Sequence, residues 1–81
     1  MNDLTRLQVS AHLLDMRGRP CPVPIIELAK ALRAHACVEL WADDPAARAD
    51  VAAFLQATGH RGEVSYEHGV FRAAVTRRGG G

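Results

Sequence analysis

Leu13-Leu14-Asp15-Met16-Arg17-Gly18-Arg19-Pro20-Cys21-Pro22-Val23-Pro24 decides the reading of this chain, because its character changes twice along one short stretch. Residues 13–16 are a compact apolar run that fits a first strand. Arg17-Gly18-Arg19-Pro20 breaks the run, since glycine and proline punctuate loops. After the prolines, Ile25, Leu28, Ala29 and Leu32 recur at helical spacing, with Glu27, Lys30 and Arg33 on the other side. That stripe predicts an amphipathic helix over residues 23–34. Its start favours Cys21 as the cap and Pro22 at the first helical position, where a missing N–H costs nothing. Pro24 falls in the same first turn, whose amides have no intrahelical partner. A thiol in that place faces free amides and the positive end of the helix dipole, so a thiolate near neutral pH is expected. Arg17 and Arg19 add positive charge close in sequence, and Pro22 and Pro24 stiffen the junction.

Outward from this stretch the pattern stays simple. Residues 37–42 alternate, with Val38, Leu40 and Ala42 on one face and Cys37, Glu39 and Trp41 on the other. Asp43-Asp44-Pro45 predicts a helix start with Asp44 as cap and Pro45 at the first position. Val51, Phe54, Leu55 and Thr58 form its narrow stripe, and Gly59 stops it. Residues 63–67 alternate and place Val64 and Tyr66 on one face. His68-Gly69 marks a tight turn, and residues 70–76 follow with Phe71, Ala73 and Val75 inward, completing a hairpin. The order β-α-β-α-β-β, with right-handed crossovers, predicts a two-layer α/β sandwich. It has a four-stranded mixed sheet, both helices on one face and the other face open. Cys21 then lies at a sheet edge, where open α/β folds place their sites. Residues 1–11 are expected to be a flexible arm, 12–78 a single domain and 79–81 a flexible glycine tail.

Composition excludes several classes of function. Hydrophobic residues make up 48% of 81, enough for one modest core. Ten basic residues oppose nine acidic ones, so bulk charge suggests neither nucleic acid nor an anionic membrane as a partner. No apolar run approaches the roughly 20 residues of a membrane span. Met1-Asn2-Asp3-Leu4-Thr5-Arg6 lacks the basic start and apolar stretch of a signal peptide, so a cytoplasmic location is expected.

Few residues carry chemistry. Cys21 and Cys37 are too far apart for a CxxC unit, and no ligand cluster suggests a metal; no cofactor is expected. Cys37 reads as a half-buried structural thiol. His12, His35, His60 and His68 are scattered in polar contexts and read as surface residues rather than parts of a hydrolase set. Asp43 and Asp44 read as cap and turn residues rather than an acid/base pair. Trp41 falls on the open face, where an exposed aromatic would suit a protein partner.

Residues 14–24 resemble the L-D-x-x-G-x-x-C-P-x-P signature of the TusA-like (SirA-like) sulfur-carrier family. Lys30-Ala31-Leu32, Ala42-Asp43-Asp44-Pro45, Asp50-Val51 and Gly59-His60 are similar to further family positions, so the resemblance covers roughly residues 13 to 78. His35-Ala36 departs from it where a glycine turn is common, and the C-terminal glycines lie outside the pattern. The resemblance implies a βαβαββ fold and a cysteine, here Cys21, that accepts sulfane sulfur as a persulfide, framed by Pro22 and Pro24. It implies a cysteine desulfurase or rhodanese as donor and a downstream acceptor protein, in a relay serving tRNA thiolation, molybdenum-enzyme maturation or sulfur metabolism. The persulfide anion is expected to be stabilised by the helix amides. Two readings compete: a regulatory or protein-interaction module with a structural cysteine, and a redox pair of Cys21 and Cys37.

Overall fold

The computed structural model describes residues 11–78. The expected glycine tail and all of the expected arm except Ala11 lie outside the described residues. Six elements follow in the expected order: β1 (His12–Asp15), α1 (Val23–Ala34), β2 (Cys37–Ala42), α2 (Ala47–Thr58), β3 (Arg61–Glu67) and β4 (Val70–Thr76). The sheet order is β1-β2-β4-β3. β1 runs parallel to β2, with Leu14 opposite Leu40, and the other pairings are antiparallel.

Alternation sorts the sheet into two faces. Val38, Leu40 and Ala42 of β2 and Phe71, Ala73 and Val75 of β4 are buried beneath the helices, where they meet Leu28 and Leu32 of α1 and Ala47 and Val51 of α2. Each fully buried Leu or Val contributes about 1.5–3 kcal/mol relative to exposure. Leu14, Ile25, Phe54 and Leu55 pack against the rim of this core. α2 comes close to β3 at Gly62, where an added Cβ would collide with the Leu55 methyls. Beyond that point Val64 and Tyr66 stand in register with Ala73 and Phe71 on the helix side, yet are exposed.

Local chemistry explains the element ends. His68 and Gly69 both take positive φ, 52° and 77°, which gives a two-residue connection the twist a hairpin needs. Gly59 stops α2 with φ 79°, and its N–H donates to the Leu55 carbonyl. The Arg77 guanidinium donates to the carbonyls of Leu32 and Arg33, two acceptors left over at the end of α1.

Both helix starts differ from expectation by a short step. Pro22, not Cys21, is the cap residue of α1, and Val23 is the first helical residue. The cause is a turn that closes around Cys21-Pro22: the Val23 N–H donates to the Pro20 carbonyl at 2.9 Å. Cys21 therefore sits inside a turn before the helix. Ala46, not Asp44, is the cap residue of α2, so Pro45 precedes the helix. Asp44 instead makes a turn ahead of it, its Oδ1 accepting the Ala46 N–H at 2.8 Å and its carbonyl the Ala47 N–H at 2.9 Å. The Asp44 side chain thus closes the turn that leads into α2, two residues ahead of the cap, and does not cap the helix itself.

Candidate functional site

The parallel pairing of β1 and β2 brings the loops that follow them to one sheet edge, and the site grows from that neighbourhood. Two adjacent carboxylates from the second loop hold the first loop by its backbone. Asp43 Oδ1 accepts the Gly18 N–H at 2.9 Å, and Asp44 Oδ2 accepts the Cys21 N–H at 3.1 Å. Asp44 thus uses both oxygens, one on the loop of Cys21 and one at the approach to α2. The turn role expected of this pair is only part of what they do, and the cap position expected of Asp44 belongs to Ala46.

Cys21 is exposed, and its Sγ lies 2.6 Å from Asp50 Oδ2. Asp50 is in the first turn of α2, where its N–H donates to the Ala46 carbonyl at 3.0 Å. The thiol opens onto a groove of about 380 Å³ lined by Pro22, Ile25, Ala53 and Phe54, with Cys21 and Asp50 at its polar end. The groove is shallow and lies between the two helices. It resembles a landing place for another protein's loop more than an enclosed substrate site.

The expected direction of thiol activation is reversed. The Asp50 carboxylate, by hydrogen bonding, holds the Cys21 thiol above its ordinary value, and desolvation and the charges of Asp50 and Asp44 push the same way. The sequence pattern points to amides that favour an anion, but the chain brings two carboxylates to the sulfur instead. Nor does Arg17 compensate them. Its guanidinium makes a two-pronged pair with Asp15, at 2.8 and 2.7 Å, and lies 5.2 Å from the Trp41 ring. Arg19 is exposed, and its backbone N–H closes the loop on the Met16 carbonyl at 3.1 Å.

The remaining candidates lie elsewhere. Cys37 opens β2 at the opposite edge of the sheet. Roughly 17 Å of strand rise separates the two edges, well beyond the roughly 7 Å Cα limit for a disulfide, so the redox-pair reading does not fit. His12 and His35 stack at 4.0 Å, and His60 Nδ1 accepts the Arg78 N–H at 2.9 Å. Trp41 does lie on the open face, but it is half-buried: Arg17 and Arg72 flank its ring, and its Nε1 donates to Glu39 at 2.8 Å. No group of three or more metal-ligating side chains is assembled among the described residues. No described helix is long and apolar enough to cross a membrane.

A family profile described as Sulfurtransferase TusA matches residues 12–77, nearly the whole described domain. The chain belongs to the TusA sulfurtransferase family. Membership of the TusA family supports a general sulfur-carrier role, exercised in relays with other proteins. Among solved structures, a SirA-like protein from Desulfitobacterium hafniense is similar in fold, with a TM-score of 0.72 and 25% identity, covering 79% of this chain and 93% of that one. No curated protein matches the chain.

Asp50 is the contact that sequence reasoning missed as a site residue. With the helix expected to start at Pro45, Asp50 falls beyond its first turn; the observed start at Ala47 puts the carboxylate in that turn, at the edge shared with Cys21. Parallel pairing of β1 and β2 is enough to place the two loops together, but the 2.6 Å contact depends on the turn at Pro20–Val23.

Proposed function

We propose that this protein carries sulfane sulfur as a persulfide on Cys21 between a donor protein and an acceptor protein. The observation that carries this reading is an exposed thiol at the end of an open, mostly apolar groove, fixed by Pro22 and by the Asp44 hydrogen bond. A cysteine-bearing loop of a cysteine desulfurase or rhodanese can approach such a thiol without entering a pocket. An acceptor can then take the sulfur from the same side. Pro22 and Pro24 supply the rigid frame, and Asp44 and Pro45 set the approach of α2. The relay would serve tRNA thiolation, molybdenum-enzyme maturation or sulfur metabolism in the cytoplasm, with no direct nucleic-acid or membrane contact.

Transfer is thiol exchange. Cys21 sulfur attacks the terminal sulfur of the donor persulfide, and the donor cysteine leaves. The raised Cys21 thiol favours a second reading, an interaction module whose cysteine is inert. Intact mass after incubation with a persulfide-loaded rhodanese separates the two. A one-sulfur adduct on wild type that is absent from Cys21→Ser supports the carrier. No adduct, or an equal adduct on Cys21→Ser, favours the module.

A further inference from the structure

If Cys21 is the sulfur carrier, its proton needs a destination during transfer. We propose that Asp50 is a catalytic residue of that step: its carboxylate takes the Cys21 proton as the sulfur attacks and returns it to the departing thiol. This inference rests on the sulfur-carrier reading and extends it.

The geometry supplies the reason. Sγ and Oδ2 are 2.6 Å apart, a separation that two full negative charges would oppose and that a shared proton bridges. The charged groups acting on the sulfur come from two segments: Asp50 projects from α2, and Asp44 comes from the loop before it. Among the described histidines, His60 is engaged by the Arg78 N–H, His12 and His35 stack on each other, and His68 lies in the β3–β4 turn. Among the described residues, Asp50 is the proton acceptor that touches the reacting atom.

The step balances without an oxidant. The donor begins as a cysteine persulfide and Cys21 as a thiol. As the Cys21 Sγ bonds to the terminal sulfur, the Sγ proton moves to Asp50 Oδ2. The donor sulfur–sulfur bond breaks, and its electron pair goes to the donor cysteine sulfur. That sulfur takes the proton from Asp50, leaving a donor thiol, a Cys21 persulfide and an ionised Asp50. One sulfur–sulfur bond has been exchanged for another.

Two assays on Asp50→Asn, which keeps shape and loses the base, give opposite expectations. Alkylation of Cys21 by iodoacetamide at neutral pH should become faster, because the carboxylate that disfavours the thiolate is gone. Sulfur uptake from a persulfide-loaded rhodanese should become slower by about a hundredfold to ten-thousandfold, the range of a lost general base. Asp50→Glu should recover part of the uptake rate. Faster alkylation with unchanged or faster uptake overturns the assignment and makes Asp50 only an electrostatic brake. Slowing in both assays also overturns it, since that marks lost site geometry. A wild type that takes up no sulfur overturns the carrier reading itself and this inference with it.

Discussion

Asp44 joins the start of α2 to the loop of Cys21, so replacing it should loosen both at once. Asp44→Ala removes two hydrogen bonds, from the Ala46 N–H at 2.8 Å and from the Cys21 N–H at 3.1 Å. The first resembles a helix cap, whose loss costs about 1 kcal/mol. The second is a bond to a charged acceptor that is partly exposed, for which about 1 kcal/mol is appropriate after screening. Removing a charge near Asp43, Asp50 and Cys21 offsets a fraction of this. A net loss of about 1.5–2 kcal/mol remains. At about 4–8 °C per kcal/mol for a domain of this size, Tm should fall by roughly 6–16 °C. Asp44→Asn retains one good acceptor oxygen, keeps the Ala46 bond and surrenders the Cys21 bond. It should cost about half as much. The assay is thermal unfolding for Tm and urea unfolding for the free energy, on the wild type and both variants, followed by fluorescence of the single tryptophan, Trp41. Equal costs for Asn and Ala, or an Ala variant as stable as wild type, would refute the two-handed role.

Four further outcomes are expected. Glu39 is held below the ordinary carboxylate range, first by the Trp41 indole N–H and then by Arg72. Its stabilising contribution is present above the unfolded value near about 4.3 and lost as pH falls through the lower folded value. Trp41 fluorescence should therefore change below about pH 4, and Glu39→Gln should abolish that change. At the other extreme, Cys21 is raised, so its contribution is intact below the ordinary thiol value near about 8.5 and lost as pH rises through the folded one. Chemical denaturation above that pH should show a stability loss that Cys21→Ser flattens. Leu28→Ala empties a fully buried position and should cost about 3 kcal/mol by the same unfolding measurement. Gly62→Val should cost about 1–2 kcal/mol by collision with Leu55, and Leu55→Ala in the same chain should relieve part of it.

The sheet was legible because its signal is local. Alternation over residues 37–42 and 70–76 names the buried positions correctly, since each strand has one face under helices and one open. The helix over residues 23–34 was equally plain, with Leu28 and Leu32 buried as the stripe requires. The site was legible only in part. Cys21 stands out as an exposed thiol in a proline-framed turn, but its electrostatic surroundings arrive through space. Asp44 and Asp50 come from positions 23 and 29 residues away. The expectation of a stabilised thiolate, and of a persulfide anion held by helix amides, came from one placement of the helix start. The turn closed by Pro20 and Val23 moved the thiol outside it. Arg17 misled for a similar reason: it is near Cys21 in sequence, but Asp15 and Trp41 engage its guanidinium.

The open groove beside Cys21 also has a kinetic consequence. Among the described residues nothing covers a sulfur atom held there, so small thiols in solution would compete with the proper acceptor for it. Delivery would then be a race between productive encounter and loss. Fidelity would come from short transit, with the loaded carrier passing quickly from one complex to the next, and cellular yield would track partner abundance as much as the chemistry of Cys21.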